Sequence, residues 1–289
     1  MDPIDPALNI RSVELAVSDL ARSSDFYERV LGLPLIARDE RTATLGSDPA
    51  APALLLEQIA APTHAPARST GLYHVAWLHP TRAALADTVR RIAGARWRFD
   101  GASDHGVSEA LYLSDPDGLG IEIYVDRPRE QWERPAGGHG VAMVTLPLDM
   151  DDLLAQGAEQ PGASVPSGTG IGHVHLKVSD VLRANSFYRD ALGFEDQATL
   201  PSAAFVSAGG YHHHLGLNSW ESRGGERAPD DAPGLRRVRF RLSGSEAVEA
   251  VERRLADAAE VAPCSAVRGQ DGSLALVDPD GQPLLFSYV

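Results

Sequence analysis

The sequence predicts an α+β protein assembled from four βαβββ modules in two tandem domains. Three observations predict it: a long internal repeat, a strand period that gives way to a capped helix in each copy, and a turn motif that recurs at the same place. The segment IRSVELAVSDLARSSDFYERVLGL from Ile10 is echoed by IGHVHLKVSDVLRANSFYRDALGF from Ile171. Within it Val17-Ser18-Asp19 matches Val178-Ser179-Asp180, Phe26-Tyr27 matches Phe187-Tyr188, and Leu31-Gly32 matches Leu192-Gly193. Asp115-Pro116-Asp117-Gly118 then recurs as Asp278-Pro279-Asp280-Gly281. Two landmarks in near register mark a duplication.

Each element follows from local pattern. Val13, Leu15 and Val17 alternate with the period of a strand. Ser18 or Asp19 can cap the next helix, which carries a stripe through Leu20, Ser23, Ser24, Tyr27, Val30 and Leu31, and Gly32 stops it. Short strands are expected around 42–45 and 53–57. The pattern then restarts, with a strand over 72–78, a helix over 82–93 and a hairpin of 110–113 with 120–125 around the DPDG turn. The modules span about 10–58, 71–126, 171–220 and 234–289, giving domains at 1–126 and 170–289. The connecting stretch 127–169 is Pro- and Gly-rich, apart from an apolar piece at 141–154 expected to form a strand and short helix. Loops at 61–70 and 221–233 join modules.

Composition narrows the function. The chain has 289 residues, 43% hydrophobic and 23% charged, which suits a soluble globule with a real core. A net charge of −14 argues against binding a phosphate backbone. No apolar run is long enough to span a bilayer, and MDPIDPALNI lacks the features of a secretory leader. A cytoplasmic small-molecule enzyme or binder is expected, without nucleic-acid or membrane partners, and homo-oligomerisation is left open. The one cysteine, Cys264, rules out an intrachain disulfide and a thiolate cage. Any metal must therefore be held by His, Asp or Glu.

Four βαβββ modules, LGL or LGF after the first helix of each half and DPDG before its last strand resemble the vicinal-oxygen-chelate superfamily of glyoxalases, bleomycin-resistance proteins and dioxygenases. The resemblance covers nearly the whole chain. It implies two tandem glyoxalase-like domains whose paired modules close U-shaped barrels, with ligands on first and last strands. Those positions hold Ser12 in module one, His74 and Glu122 in module two, His173 in module three, and Arg237 and Leu285 in module four. Pairing modules within a domain assembles no good site. Pairing module two with module three collects His74, Glu122 and His173, the two-His-one-carboxylate set that holds Fe(II) with open positions. Ser12, Arg237 and Leu285 fall together in the other pairing, which should be empty. A carboxylate such as Glu122 between isoleucines is costly unless paired or metal-bound. His175 shares the strand parity of His173 and is expected in the pocket.

The run from Asp104 through His105 to Tyr112, leading into DPDG and Glu122, is similar to the extradiol dioxygenase signature. In that family a Tyr stands ten residues before the carboxylate ligand, as Tyr112 does, and a His stands shortly before the Tyr, as His105 does with a shorter gap. The cluster Tyr211-His212-His213-His214 matches the place of the family's acid–base histidine. Read as a strand, it sets His213 on the face opposite to His212 and His214, and at least one imidazole should meet solvent. His213 fits the catalytic position best. The resemblance is greatest to two-domain extradiol catechol 2,3-dioxygenases, which implies Fe(II), or Mn(II) in its place, with a small aromatic diol and O2 as substrates. His213 would act as base and then acid, Tyr112 would bind the substrate oxygen, and a 2-hydroxymuconic semialdehyde would result. The alternatives are a glyoxalase-type isomerase, which needs a fourth, carboxylate ligand late in module three, and a metal-free drug-binding protein.

Overall fold

The computed structural model describes residues 3–135, 137, 140–259 and 264–288. Four units of strand, helix and three strands follow one another. The first runs β1 (Asn9–Val17), α1 (Leu20–Asp25), β2 (Leu35–Arg38), β3 (Thr42–Leu45) and β4 (Leu54–Gln58). The second has β5 (Gly71–Leu78), α2 (Arg82–Gly94), β6 (Gly101–Asp104), β7 (Ser108–Ser114) and β8 (Gly120–Asp126). A short helix α3 (Met150–Ala155) lies in the connection. The third has β9 (Gly170–Lys177), α4 (Val181–Ser186), β10 (Glu195–Leu200), β11 (Ala203–Ser207) and β12 (Leu215–Asn218). The fourth has β13 (Gly234–Arg241), α5 (Ser245–Asp257), β14 (Ala266–Arg268), β15 (Leu274–Val277) and β16 (Pro283–Ser287). The strand expected in 141–154 does not form. Leu146 makes one isolated bridge to Asp104, and only the helix follows.

Sheet partnership crosses the two halves of the sequence. One eight-stranded sheet has the order β14-β15-β16-β13-β1-β4-β3-β2, the other β10-β11-β12-β9-β5-β8-β7-β6. The fourth and first units thus share one sheet, and the third and second share the other. The seams are antiparallel pairs, β1 with β13 and β5 with β9.

The repeated motifs explain how the two sheets are held to each other. Asp19 and Asp180 cap α1 and α4 by accepting the backbone N–H of Arg22 and Arg183, each at 3.0 Å. Both helices run on into a single π turn, at Phe26–Val30 and Phe187–Ala191, rather than staying α-helical. That turn brings a buried tyrosine to the DPDG loop of the next unit, which sits in the opposite sheet. The Tyr27 hydroxyl donates to Asp115 at 3.1 Å, and the Tyr188 hydroxyl donates to Asp278 at 2.8 Å. Ser18 and Arg22 bind Asp117 as Ser179 and Arg183 bind Asp280. The LG glycine serves the same joint. A Cβ at Gly32 would lie 2.5 Å from the Arg91 guanidinium, and one at Gly193 would lie 2.7 Å from that of Arg254, while both backbones are left-handed. Residues that look like a functional signature because they repeat are the clamp between sheets.

Burial pushes Asp115 and Asp278 up to about 6, against the hydrogen bonds they accept. Their folded values lie above the ordinary value of about 4 for the unfolded chain. Their contribution to stability is therefore fully present below about pH 4 and is lost as pH rises through 6. Replacing Tyr188 by Phe takes a donor from a buried carboxylate. In urea unfolding at pH 7.5 the Tyr188→Phe protein is expected to lose about 1–3 kcal/mol. The loss should shrink at pH 5, where the carboxyl is protonated. Equal loss at both pH values would contradict this account of the clamp.

Candidate metal centre and catalytic cavity

Register builds the site. On β8, Glu122 pairs with Ala76 of β5 on one side and with Tyr112 of β7 on the other. Across the seam Ala76 faces His173 of β9. Tyr112, Glu122, Ala76 and His173 therefore form one row over four strands. The next row runs Ser114, Gly120, His74, His175 and Gly216. A strand sends alternate side chains to one face, and bulges in β5 at 72/74 and 76/77 adjust the two rows. Small residues leave the space: Ala76 carries only a methyl between His173 and Glu122, and a Cβ at Gly216 would meet the His175 ring at 2.7 Å.

The rows bring together His74, Glu122 and His173. One Glu122 oxygen lies 2.9 Å from His74 Nε2 and 3.1 Å from His173 Nε2. All three residues are buried, and their ligand atoms lie within 4.8 Å of one another. His74 Nε2 has no properly angled hydrogen-bond partner despite that short approach, as expected of a lone pair aimed at a common point. Burial holds the His173 imidazole neutral, down to about 4. Burial also opposes the Glu122 charge, but the His173 and His74 rings outweigh it and keep that carboxyl well below its usual range. An ionised carboxylate beside the neutral His173 imidazole is the protonation state a divalent cation requires. The donor set therefore fits such an ion. Among the described residues no other His, Cys, Asp or Glu joins this group, and no second group forms.

The equivalent place in the other sheet is filled by protein. Arg237 lies opposite Glu14, and Ser12 opposite Arg239. Glu14 accepts from Arg239 at 2.6 Å and approaches Arg237 at 3.4 Å. Leu285 pairs with Arg239.

A cavity of about 650 Å³ opens over the three residues. His105, Tyr112, His175 and His213 all line it. His105 Nδ1 lies 2.7 Å from the Val144 carbonyl, which can only accept. In the neutral ring Nε2 is then bare and accepts from the Tyr112 hydroxyl at 2.7 Å. Burial, followed by the nearby Glu122 charge, raises the Tyr112 pKa far above its ordinary value, so its hydroxyl keeps its proton.

The triple histidine is not a strand. Residues 211–214 form a bend that leads into β12, so alternation of faces does not govern them. None faces solvent either; all three imidazoles are buried. The expectation of a solvent-facing imidazole fails because the bend folds back under the connection at Trp132, whose ring centroid is 5.3 Å from that of His212. His213 is the member that lines the cavity, its ring centroid 4.0 Å from that of His173. His214 instead accepts the Ala208 backbone N–H at 3.1 Å.

Sequence reasoning missed the residues behind His213. His212 Nε2 lies 2.8 Å from Asp126, a pure acceptor, so it donates there. Its bare Nδ1 then accepts from His213 Nδ1 at 2.8 Å, which leaves His213 Nε2 as a bare nitrogen. Tyr124 and Tyr211 feed the same carboxylate: their hydroxyls are 2.8 Å apart, and Tyr211 lies 2.9 Å from Asp126. Every proton in this buried chain points at Asp126. Gly172 makes room for it, because a Cβ there would stand 1.7 Å from the Tyr124 hydroxyl.

Comparisons with known proteins agree with this architecture. The model of the Glyoxalase/Bleomycin resistance protein/Dioxygenase superfamily matches residues 9–123 and again 170–284, and the chain belongs to that superfamily. It is 42% identical over 258 residues to the catechol-2,3-dioxygenase of Bacillus subtilis (strain 168), covering 88% of this chain and 90% of the relative. Glyoxalase I of Zea mays shares the fold, with a TM-score of 0.60 at 18% identity over 97% of this chain and 92% of that one. A Bacillus subtilis protein provisionally named a dioxygenase superposes with a TM-score of 0.67 at 14% identity, over 99% of this chain and 86% of that one.

Gly172→Ala is expected to displace Tyr124 and break the chain of hydroxyls behind Asp126. Overpacking of this kind typically costs about 1–3 kcal/mol. A thermal midpoint equal to that of the unaltered protein would show that the close contact carries no weight.

Proposed function

We propose that the chain is an extradiol dioxygenase that opens catechol-type rings with O2, using one metal held by His74, Glu122 and His173. The carrying observation is that these three ligand atoms converge in the same cavity as two independent proton-handling pairs, Tyr112 with His105 and His213 with His212. The 42% identity to a catechol-2,3-dioxygenase over most of both chains supports the reading. A glyoxalase-type reaction needs a fourth ligand, a carboxylate, and among the described residues none joins the cluster. Fe(II) is the ion proposed, with Mn(II) as the alternative the same donors accept.

Such an ion, when bound, supplies chelation of both catechol oxygens and one-electron exchange between ring and O2 at positions the protein leaves open. The chain's own residues do the rest. His213 Nε2, kept bare by the Asp126–His212 chain, takes a proton from a catechol hydroxyl and returns it when the O–O bond breaks. The Tyr112 hydroxyl, positioned by His105, hydrogen-bonds the substrate oxygen that gains carbonyl character. Phe205, Met143, Val144 and Trp220 line the cavity and limit water around the reacting atoms.

Purified protein loaded anaerobically with Fe(II) is expected to turn yellow when given catechol and then air, as a ring-opened semialdehyde forms. Consumption of a methylglyoxal–thiol adduct without ring opening would overturn the proposal in favour of an isomerase. Alanine in place of His74, Glu122 or His173 should abolish stoichiometric metal in elemental analysis, while Arg237→Ala should retain it. Tyr112→Phe and His213→Ala should keep the metal and lose about 10²–10⁴ in kcat. Undiminished turnover in both would remove these residues from the mechanism. If instead His214→Ala stops turnover, the cavity-facing histidine has been misassigned.

A further inference from the structure

Lysine occurs once in this chain, at Lys177; the rest of its 26 Lys and Arg residues are arginine. It ends β9, four residues after His173 and two after His175. By strand parity all three send side chains to the same face. At about 3.3 Å per residue, the Lys177 backbone stands ~13 Å along the strand from that of His173. Its partner across the seam is Gly71, whose missing side chain leaves the lysine free of cover. Lys177 lines the catalytic cavity, and among the described residues its ammonium makes neither an ion pair nor a hydrogen bond.

A second cavity of about 560 Å³ adjoins the first, with Leu72, Gly118 and Lys177 lining both. Around it a chain of net charge −14 gathers Arg22, Arg227 and Arg236 besides Lys177, against the single acid Asp117. The arginines are engaged by protein: Arg22 with Asp117, Arg227 with Asp230, and Arg236 with the carbonyl oxygens of Asp230 and Ala232. Lys177 is the cation left over, at the point where the two cavities meet.

Resting on the dioxygenase reading, we infer that Lys177 is a specificity residue that binds an anionic ring substituent, so that the substrates are catechols carrying a carboxylate side chain. Two acids besides Glu122 line the catalytic cavity. Asp100 accepts from the Ser114 hydroxyl at 3.0 Å and lies 4.0 Å from Arg98. Glu221 raises the Tyr73 pKa, after burial, and makes no ion pair with Lys177. A partly buried ammonium without a counter-ion is costly, and a substrate carboxylate satisfies it with a charge-assisted hydrogen bond.

The test uses 3,4-dihydroxyphenylacetate and its primary amide, which have the same shape and differ in charge. With Fe(II)-loaded enzyme, kcat/KM should favour the acid by roughly tenfold or more, carried mainly in KM. Lys177→Met should collapse that ratio towards one, and Lys177→Arg should restore most of it. A ratio near one in the unaltered enzyme, or one that Lys177→Met leaves standing, overturns the inference. A Lys177→Met variant that weakens acid and amide equally also overturns it, by showing that the lysine serves Glu221 or the fold. Calorimetry of both compounds on metal-free protein keeps the inference separate from the dioxygenase reading. Tighter binding of the acid, lost in Lys177→Met, supports the subsite even if neither ring is opened, and equal binding refutes it.

Discussion

The site depends on the antiparallel register of β5 against β9. That pairing puts Ala76 opposite His173 and His74 opposite His175, while the parallel pairing of β5 with β8 sets Glu122 beside Ala76. No one unit holds more than two of the three ligand residues. Because side chains alternate, a slip of one residue would turn His173 and His175 into the core and expose Val174 and Leu176 to the cavity. The apolar faces of these strands, fully buried at Val174 and Leu176, oppose such a slip. Hydrophobic burial thus fixes where two imidazoles and a carboxylate meet.

Duplication allowed the two sheets to diverge. Both use the same seam, and the clamps of Tyr27 on Asp115 and Tyr188 on Asp278 tie each half of the sequence across both sheets. In one sheet the seam carries His74 and His173, with Glu122 on the adjoining β8. In the other it carries Arg237, Arg239, Ser12 and Glu14, and the arginines close on Glu14. A carboxylate bonded to guanidinium groups has its charge satisfied by protein. Glu122, facing two imidazoles and no guanidinium group, does not, and that difference separates a structural ion pair from a centre able to take up a cation.

Much of this was legible in the sequence, for a physical reason. Strand alternation, helix caps and the DPDG turn are local, so the four modules could be placed from spacing, while His74, Glu122 and His173 were placed by the resemblance to the superfamily, whose ligand positions fall on those strands. Tyr112 and His105 were singled out by the resemblance to the extradiol signature, and the structure joins them by a hydrogen bond. The triple histidine misled because adjacency suggests a strand, whereas Gly209 and Gly210, both left-handed, turn the chain into a bend there. The chain from Tyr124 through Asp126 to His213 could not be read because its members are 85–87 residues apart. Gly172 gave a signal in retrospect, as a glycine set between the large side chains of Ile171 and His173 in β9.

The most direct measurement is an anomalous-difference map from crystals of protein purified with its native metal, collected on either side of the iron and manganese edges. The account predicts one peak per chain, within bonding distance of His74 Nε2, His173 Nε2 and the Glu122 carboxylate, and none beside Glu14. A peak elsewhere, or a well-ordered His74–Glu122–His173 cluster with no peak in active protein, would contradict it.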